Sequence, residues 1–155
     1  MAERVKKTAY IRCRGGSISC GYGCIGCGMC ADACRIGAIS FCGACPPVID
    51  RGKCVGCWLC ARACPQSIIE IINDDFNIQP KCSNKDAGKT ALDACPNSCT
   101  ACRRCEKSCP ADAVYVIDNC PVIDPAKCIC CGMCAVKCPR GVIRDIHGII
   151  TEKDV

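Results

Sequence analysis

Cys99, Cys102, Cys105 and Cys109, followed by Pro110, stand at spacings of three, three and four. The same run recurs at Cys24, Cys27, Cys30 and Cys34, at Cys54, Cys57, Cys60 and Cys64, and at Cys128, Cys131, Cys134 and Cys138. Clustered cysteines can serve structural zinc, disulfides, a nucleophilic thiolate or an iron–sulfur cluster. Zinc is usually held by two separated Cys-x-x-Cys pairs in a tetrahedron. This run fits one small ion poorly, because its fourth thiol falls in the next helical turn and points away. A nucleophilic cysteine wants a neighbouring base, and the chain has a single histidine, His147. The tight spacing opposes disulfides. A [4Fe–4S] cube suits the pattern, since its irons need thiolates arriving from several directions and one loop can supply three of them.

The runs belong to a larger repeat. Residues 10–72 align with residues 79–146: the first run of each half matches at an offset of 75 and the second at 74, and "CPPVIDRGKC" answers "CPVIDPAKC". Cys13, Cys20 and Cys45 answer Cys82, Cys95 and Cys120, and the second half carries a longer insert, "SNKDAGKTALDA". Two equivalent units are expected, residues 1–75 and 76–155, joined at "NDDFNIQPK".

The elements that must position these thiols are short. "TAYIRC" and "FNIQPKC" read as opening strands, and "SIIEII" and "VIRDI" as closing strands. "AVYVID" and "PVID" read as a hairpin turning at Asp118–Asn119. Gly, Ala and Ser among the first three cysteines of each run suit a loop wrapped on a ligand, with a helical turn after it, as in "ADACRIGA". The expected fold class is α+β: in each half a strand, a cluster loop and helix, a hairpin, a second loop and helix, and a closing strand. Gly26, Gly28, Gly56 and Gly132 let the backbone approach inorganic sulfur closely.

Composition agrees. Cysteine supplies 24 residues, while Phe, Trp and Tyr together supply only 6. Few large side chains remain to offset the roughly 1–2 kcal/mol of backbone entropy lost per ordered residue, so whatever the cysteines bind is expected to act as core. The N-terminal stretch "MAERVKKTAYIRC" has no apolar signal region, and no apolar run is long enough to span a membrane. A reducing, cytoplasmic compartment is expected, where clustered cysteines usually mean metal. The formal charge of +5 omits thiolates. Each ligated cluster carries about two negative charges, so four take the chain to about −3 and six to about −7. Nucleic acid is therefore not an expected partner.

With Pro65, Pro110 and Pro139 after the fourth cysteine, the run C-x2-C-x2-C-x3-C-P resembles that of bacterial two-cluster ferredoxins. Arg35 replaces the proline in the first run, which suggests a slightly different loop there. In that family the fourth cysteine of each run serves the other cluster. The resemblance therefore implies four cofactor sites: Cys24, Cys27, Cys30 with Cys64; Cys54, Cys57, Cys60 with Cys34; Cys99, Cys102, Cys105 with Cys138; and Cys128, Cys131, Cys134 with Cys109. The fold it implies is two tandem ferredoxin-like dicluster units.

Eight cysteines are left over. Buried cysteine packs well as a small apolar group, and Cys130, which stands where the first half has Gly56, is read that way. Cys13, Cys20 and Cys45, with Cys42, could hold an extra cluster in the first half. Cys82, Cys95 and Cys120 could do so in the second, completed by Cys130, Asp86 or a partner's side chain. The expectation is four clusters, or six with these.

From about Lys81 to Arg140, "CSNKDAGK", the cysteine after it and the paired runs resemble the polyferredoxin part of the B subunit of Rnf-type ferredoxin:NAD oxidoreductases. Nothing in the sequence matches that subunit's N-terminal membrane helix or its separate single-cluster domain, so a soluble, duplicated relative is expected. The resemblance implies electron transfer as a subunit of a larger anaerobic oxidoreductase, with a catalytic subunit and a soluble donor or acceptor as partners. A freely diffusing ferredoxin is the alternative, and a redox-sensing metal module a more distant one. No catalytic site is expected: there is no dinucleotide fingerprint, and Lys85 and Lys89 lie in no phosphate loop. Trp58, Tyr10 and Tyr115 read as packing residues, and His147 as a turn residue.

Overall fold

The computed structural model describes residues 4–15, 19–43 and 45–147. Its elements run β1 (Lys7–Ile11), α1 (Met29–Asp32), β2 (Ile39–Ser40), β3 (Val48–Ile49), α2 (Leu59–Ala63) and β4 (Ile69–Asn73). They continue with β5 (Ile78–Pro80), α3 (Gly88–Ala94), α4 (Arg104–Lys107), β6 (Val114–Ile117), β7 (Cys120–Ile123), α5 (Met133–Lys137) and β8 (Ile143–Asp145). The chain is a small α+β structure.

The strands form four antiparallel pairs: β1 with β4, β2 with β3, β5 with β8, and β6 with β7. Lys7 lies opposite Asn73 and Ile11 opposite Ile69, while Ile78 lies opposite Asp145 and Pro80 opposite Ile143. Opening and closing strands thus meet, and the cysteine loops fall between them. The β6–β7 hairpin turns on Asp118 (φ 48°) and Asn119 (φ 62°), a two-residue turn that needs positive φ at both places and favours Asn and Asp there. Helix α1 packs on α2, and α4 on α5.

None of these pieces is long enough to stand alone. Two-stranded ribbons and single helical turns are marginal in water. The interior has to hold them, and it is unusual: among the described residues, ten of the 25 buried apolar ones are cysteines. Ala9, Ile11, Ile68 and Ile69 pack with Cys30, Cys54 and Cys60. Ile78, Val114, Val116 and Ile143 pack with Cys105 and Cys134. Among the described residues no helix is long and apolar enough to cross a membrane.

Helix α3 lies in the insert, where the sequence shows no apolar periodicity. Asn84 organises it. This side chain is 1% exposed and donates to the Ala91 carbonyl at 3.4 Å and the Ser98 hydroxyl at 3.0 Å, while accepting the Asp86 amide at 3.0 Å.

The two halves touch through a polar seam. Arg12 pairs with Glu70 in its own half at 3.0 Å. Its other terminal nitrogen donates to the Pro121 carbonyl at 2.9 Å and the Cys82 carbonyl at 3.4 Å. The Ser83 hydroxyl donates to the Arg12 carbonyl at 2.8 Å, and Asn97 to the Gly15 carbonyl at 3.1 Å. Tyr10 donates to Glu70 at 2.6 Å, and burial, reinforced by that carboxylate, holds its phenol above the ordinary value.

Candidate iron–sulfur centres

Each cysteine run turns on the same backbone device. The second residue after the first cysteine has positive φ: Gly26 (70°), Gly56 (64°), Ala101 (56°) and Cys130 (54°). So does the fourth: Gly28 (75°), Trp58 (68°), Arg103 (58°) and Gly132 (73°). Left-handed residues set among ordinary ones aim successive N–H groups inward and make a concavity for anions. Four of these eight residues are not glycine, and such conformations cost of order 1–3 kcal/mol each. A bound anion would offset that strain.

The N–H groups do reach sulfur. Ala101 N–H donates to Cys99 Sγ and Cys130 N–H to Cys128 Sγ, both at 3.4 Å. After the fourth cysteine, Ala38, Ala113 and Val142 donate to Cys34, Cys109 and Cys138, each at 3.3 Å. All four runs then close in a turn whose N–H returns to the fourth cysteine's carbonyl, from Gly37, Ser67, Asp112 and Gly141. Arg35 makes this turn as the prolines do. The expectation of a different first loop is corrected: the turn is fixed by the left-handed residue that donates, not by the residue after cysteine.

Within each run the third cysteine is buried (Cys30, Cys60, Cys105, Cys134) and the second exposed (Cys27, Cys57, Cys102, Cys131). Cys24, Cys27 and Cys30 line one hollow together with Cys64 from the next run, walled by Ile11, Ile68 and Ile69. Its counterpart is lined by Cys99, Cys102, Cys105 and Cys138, walled by Val116, Val142 and Ile143. Cys109 neighbours Cys128 and Cys134. Cys34 packs against the core that holds Cys54 and Cys60, and Cys57 is next to Cys60.

Burial pushes three of these thiols up, helped by neighbouring sulfurs: Cys99 and Cys134 to about 12, and Cys30 to about 11. Without metal these thiols are protonated at neutral pH, so loading must displace protons. Four sulfurs surround each of the two hollows. Apolar walls, four thiols from two directions and inward amides suit a [4Fe–4S] cube.

The 4Fe-4S dicluster domain family matches residues 53–113. Within the matched stretch lie the second and third cysteine runs, so it crosses the join between the repeats. In the packing, however, runs associate within a half, α1 on α2 and α4 on α5. The chain is also similar to the B subunit of the ion-translocating oxidoreductase complex of Methanosarcina acetivorans, 38% identical over 80% of this chain and 47% of that protein. It is 41% identical to the B subunit of the Na(+)-translocating ferredoxin:NAD(+) oxidoreductase complex of Acetobacterium woodii, over 83% of this chain and 39% of that one. The proton-translocating counterpart of Clostridium ljungdahlii is 36% identical over 85% of this chain and 47% of its own length. The chain thus spans less than half the length of these relatives. Multiple [4Fe–4S] clusters are the cofactors supported by this match and by the chain's 24 cysteines.

The additional cysteines do not gather as one set per half. Cys42 and Cys45 lie beside each other on the exposed β2–β3 loop, apart from the other additional cysteines. Cys120 is buried beside Cys82, but its thiol donates to the Asn84 carbonyl at 3.0 Å. Burial, then that neighbouring sulfur, pushes Cys120 up to about 11. Asp86 is half-buried, with its backbone amide on Asn84. Cys130 takes the left-handed place of Gly56. Cys13, Cys20, Cys82 and Cys95 lie together between the halves. Single-sequence reading missed Ala101, Trp58 and Arg103 as loop-shaping residues, because only glycine advertises positive φ.

Proposed function

We propose that the chain is an electron-transfer polyferredoxin made of two tandem dicluster units, residues 1–75 and 76–155. The observation that carries this reading is the seating of Cys64 with Cys24, Cys27 and Cys30, and of Cys138 with Cys99, Cys102 and Cys105. A loop that closes its hollow with a thiol from a second loop accounts for the runs coming in pairs. The ligand sets are Cys24/Cys27/Cys30/Cys64, Cys54/Cys57/Cys60/Cys34, Cys99/Cys102/Cys105/Cys138 and Cys128/Cys131/Cys134/Cys109.

Bound cubes take up and release one electron each, with potentials tuned by hydrogen bonds to sulfur and by burial. The protein holds them, keeps water from their inner faces with isoleucine and valine, and directs amides at the thiolates. It supplies no catalytic site. By similarity to the oxidoreductase-complex relatives it works in the cytoplasm within a larger anaerobic oxidoreductase, between a catalytic subunit and a soluble donor or acceptor.

Anaerobic purification from the native source tests the assignment to a complex: stoichiometric association with a catalytic subunit is expected, and a monomer that reduces many acceptors would point to a diffusing carrier. Cys64→Ala tests the ligand sets. It should remove about four irons, one cube. An unchanged iron content would overturn the exchange of fourth ligands, and colourless protein carrying zinc would overturn the whole reading.

A further inference from the structure

We propose that Cys13, Cys20, Cys82 and Cys95 hold one further [4Fe–4S] cluster, shared between the two halves. The inference rests on the polyferredoxin reading above and extends it to residues outside the four runs. Cys13 and Cys20 come from the first half, and Cys82 and Cys95 are their equivalents in the second. All four line a single hollow at the seam. A β-carbon placed on Gly23 would sit 3.3 Å from Cys13 Sγ and 3.5 Å from Cys20 Sγ, so these sulfurs flank the same stretch of bare backbone. Cys95 in turn has Cys20, Cys82 and Cys13 as its electrostatic neighbours.

Among the described residues these thiols make only weak contacts. Cys20, Cys82 and Cys95 are buried, Cys13 is half-buried, and none is paired as a disulfide. Cys82 stands 3.7 Å from the Ser98 hydroxyl, and Cys95 is 3.7 Å from the Gly15 carbonyl. Among the described residues the hollow's lining includes Arg12, Arg14 and Lys81 and no carboxylate. Four thiolates around a cube carry about two net negative charges, and burying them calls for a cationic surround.

The amide pattern matches that of the four runs. Gly15 N–H and Cys24 N–H donate to Cys13 Sγ at 3.3 and 3.4 Å, and Cys99 N–H donates to Cys82 Sγ at 3.4 Å. Cys24 and Cys99 are the first cysteines of the runs that open the two halves. A cluster at the seam therefore lies between those two loops and joins the two pairs of sites into one row.

Native mass spectrometry of the anaerobic, full-length holoprotein, with iron and sulfide assays, tests this. Five cluster-mass increments and about 20 irons are expected. The Cys20→Ser/Cys95→Ser double variant should lose about four irons, with the spin-resonance signals of the remaining clusters retained. Four increments in the wild-type protein would overturn the proposal, as would one zinc, or a disulfide among these four cysteines after anaerobic alkylation. The wild-type count decides the matter even if the variant fails to fold. Four increments combined with iron loss in Cys64→Ala would sink only the shared site. An unchanged iron content in Cys64→Ala would sink the ligand sets beneath it as well.

Discussion

Arg12 and Pro121 are 109 positions apart in the chain, yet Nη2 of the arginine donates to the proline carbonyl at 2.9 Å. The same guanidinium is anchored to Glu70 at 3.0 Å, so one side chain ties strand β1 of the first half to strand β7 of the second. Arg12→Ala should weaken the seam by about 2 kcal/mol, the scale of hydrogen bonds made by a charged donor. Limited proteolysis of the holoprotein across residues 73–77 should accelerate. An unchanged cleavage rate would show that the halves are held by other contacts.

Gly56 and Gly37 separate two costs of left-handed backbone. Both have positive φ. A β-carbon at Gly56 would meet Lys7 backbone at 2.8 Å, whereas at Gly37 it would meet nothing within 4 Å. Gly37→Ala should cost only about 1 kcal/mol of conformational strain. Gly56→Ala adds a clash with β1 and should cost about 2–4 kcal/mol in all. The readout is the half-life of the cluster absorbance at fixed temperature, shortened more by the second variant.

The sign of one pH effect follows from Asp74. Its carboxyl is held below the ordinary 3.8, first by the hydrogen bond from Arg51, then by the charges of Arg51 and Lys6 and the Thr8 hydroxyl, against the opposing pull of burial. A depressed carboxyl favours the fold above its unfolded value and loses that contribution as pH falls through the folded one. Asp74→Asn should therefore flatten the acid limb of the stability curve below about pH 4, with little change in its shape near neutrality. Denaturant midpoints measured across that range check it.

Iron removal should dissolve the fold. Among the described residues the longest helix has seven residues and the longest strand five, and ten of the 25 buried apolar residues are cysteines. Chelation under anaerobic conditions should abolish the far-ultraviolet dichroism along with the visible absorbance. A compact apoprotein that unfolds cooperatively on its own would contradict this.

Much of this was readable from spacing. The four cysteine runs, the strand–loop–helix order and the Asp118–Asn119 turn are written in short local patterns, and local patterns survive in the folded chain. Helix α3 was not readable, because "GKTALDA" carries no apolar stripe and depends on the buried Asn84. The left-handed Trp58 and Arg103 were hidden because their types do not announce that conformation. The gathering of Cys13, Cys20, Cys82 and Cys95 was beyond reach for a different reason. It depends on how two separately legible halves face one another, and nothing in either half's own spacing encodes that.

The exposed second cysteine of each run sets how this molecule meets its surroundings. On the proposed ligand sets, Cys27, Cys57, Cys102 and Cys131, all exposed, would each bring an inorganic core to the protein's skin. The chain would then have four doorways rather than two ends, and current could branch as well as flow through. Each doorway left uncovered by a docked protein is also an opening for dioxygen, so assembly with partners would double as insulation.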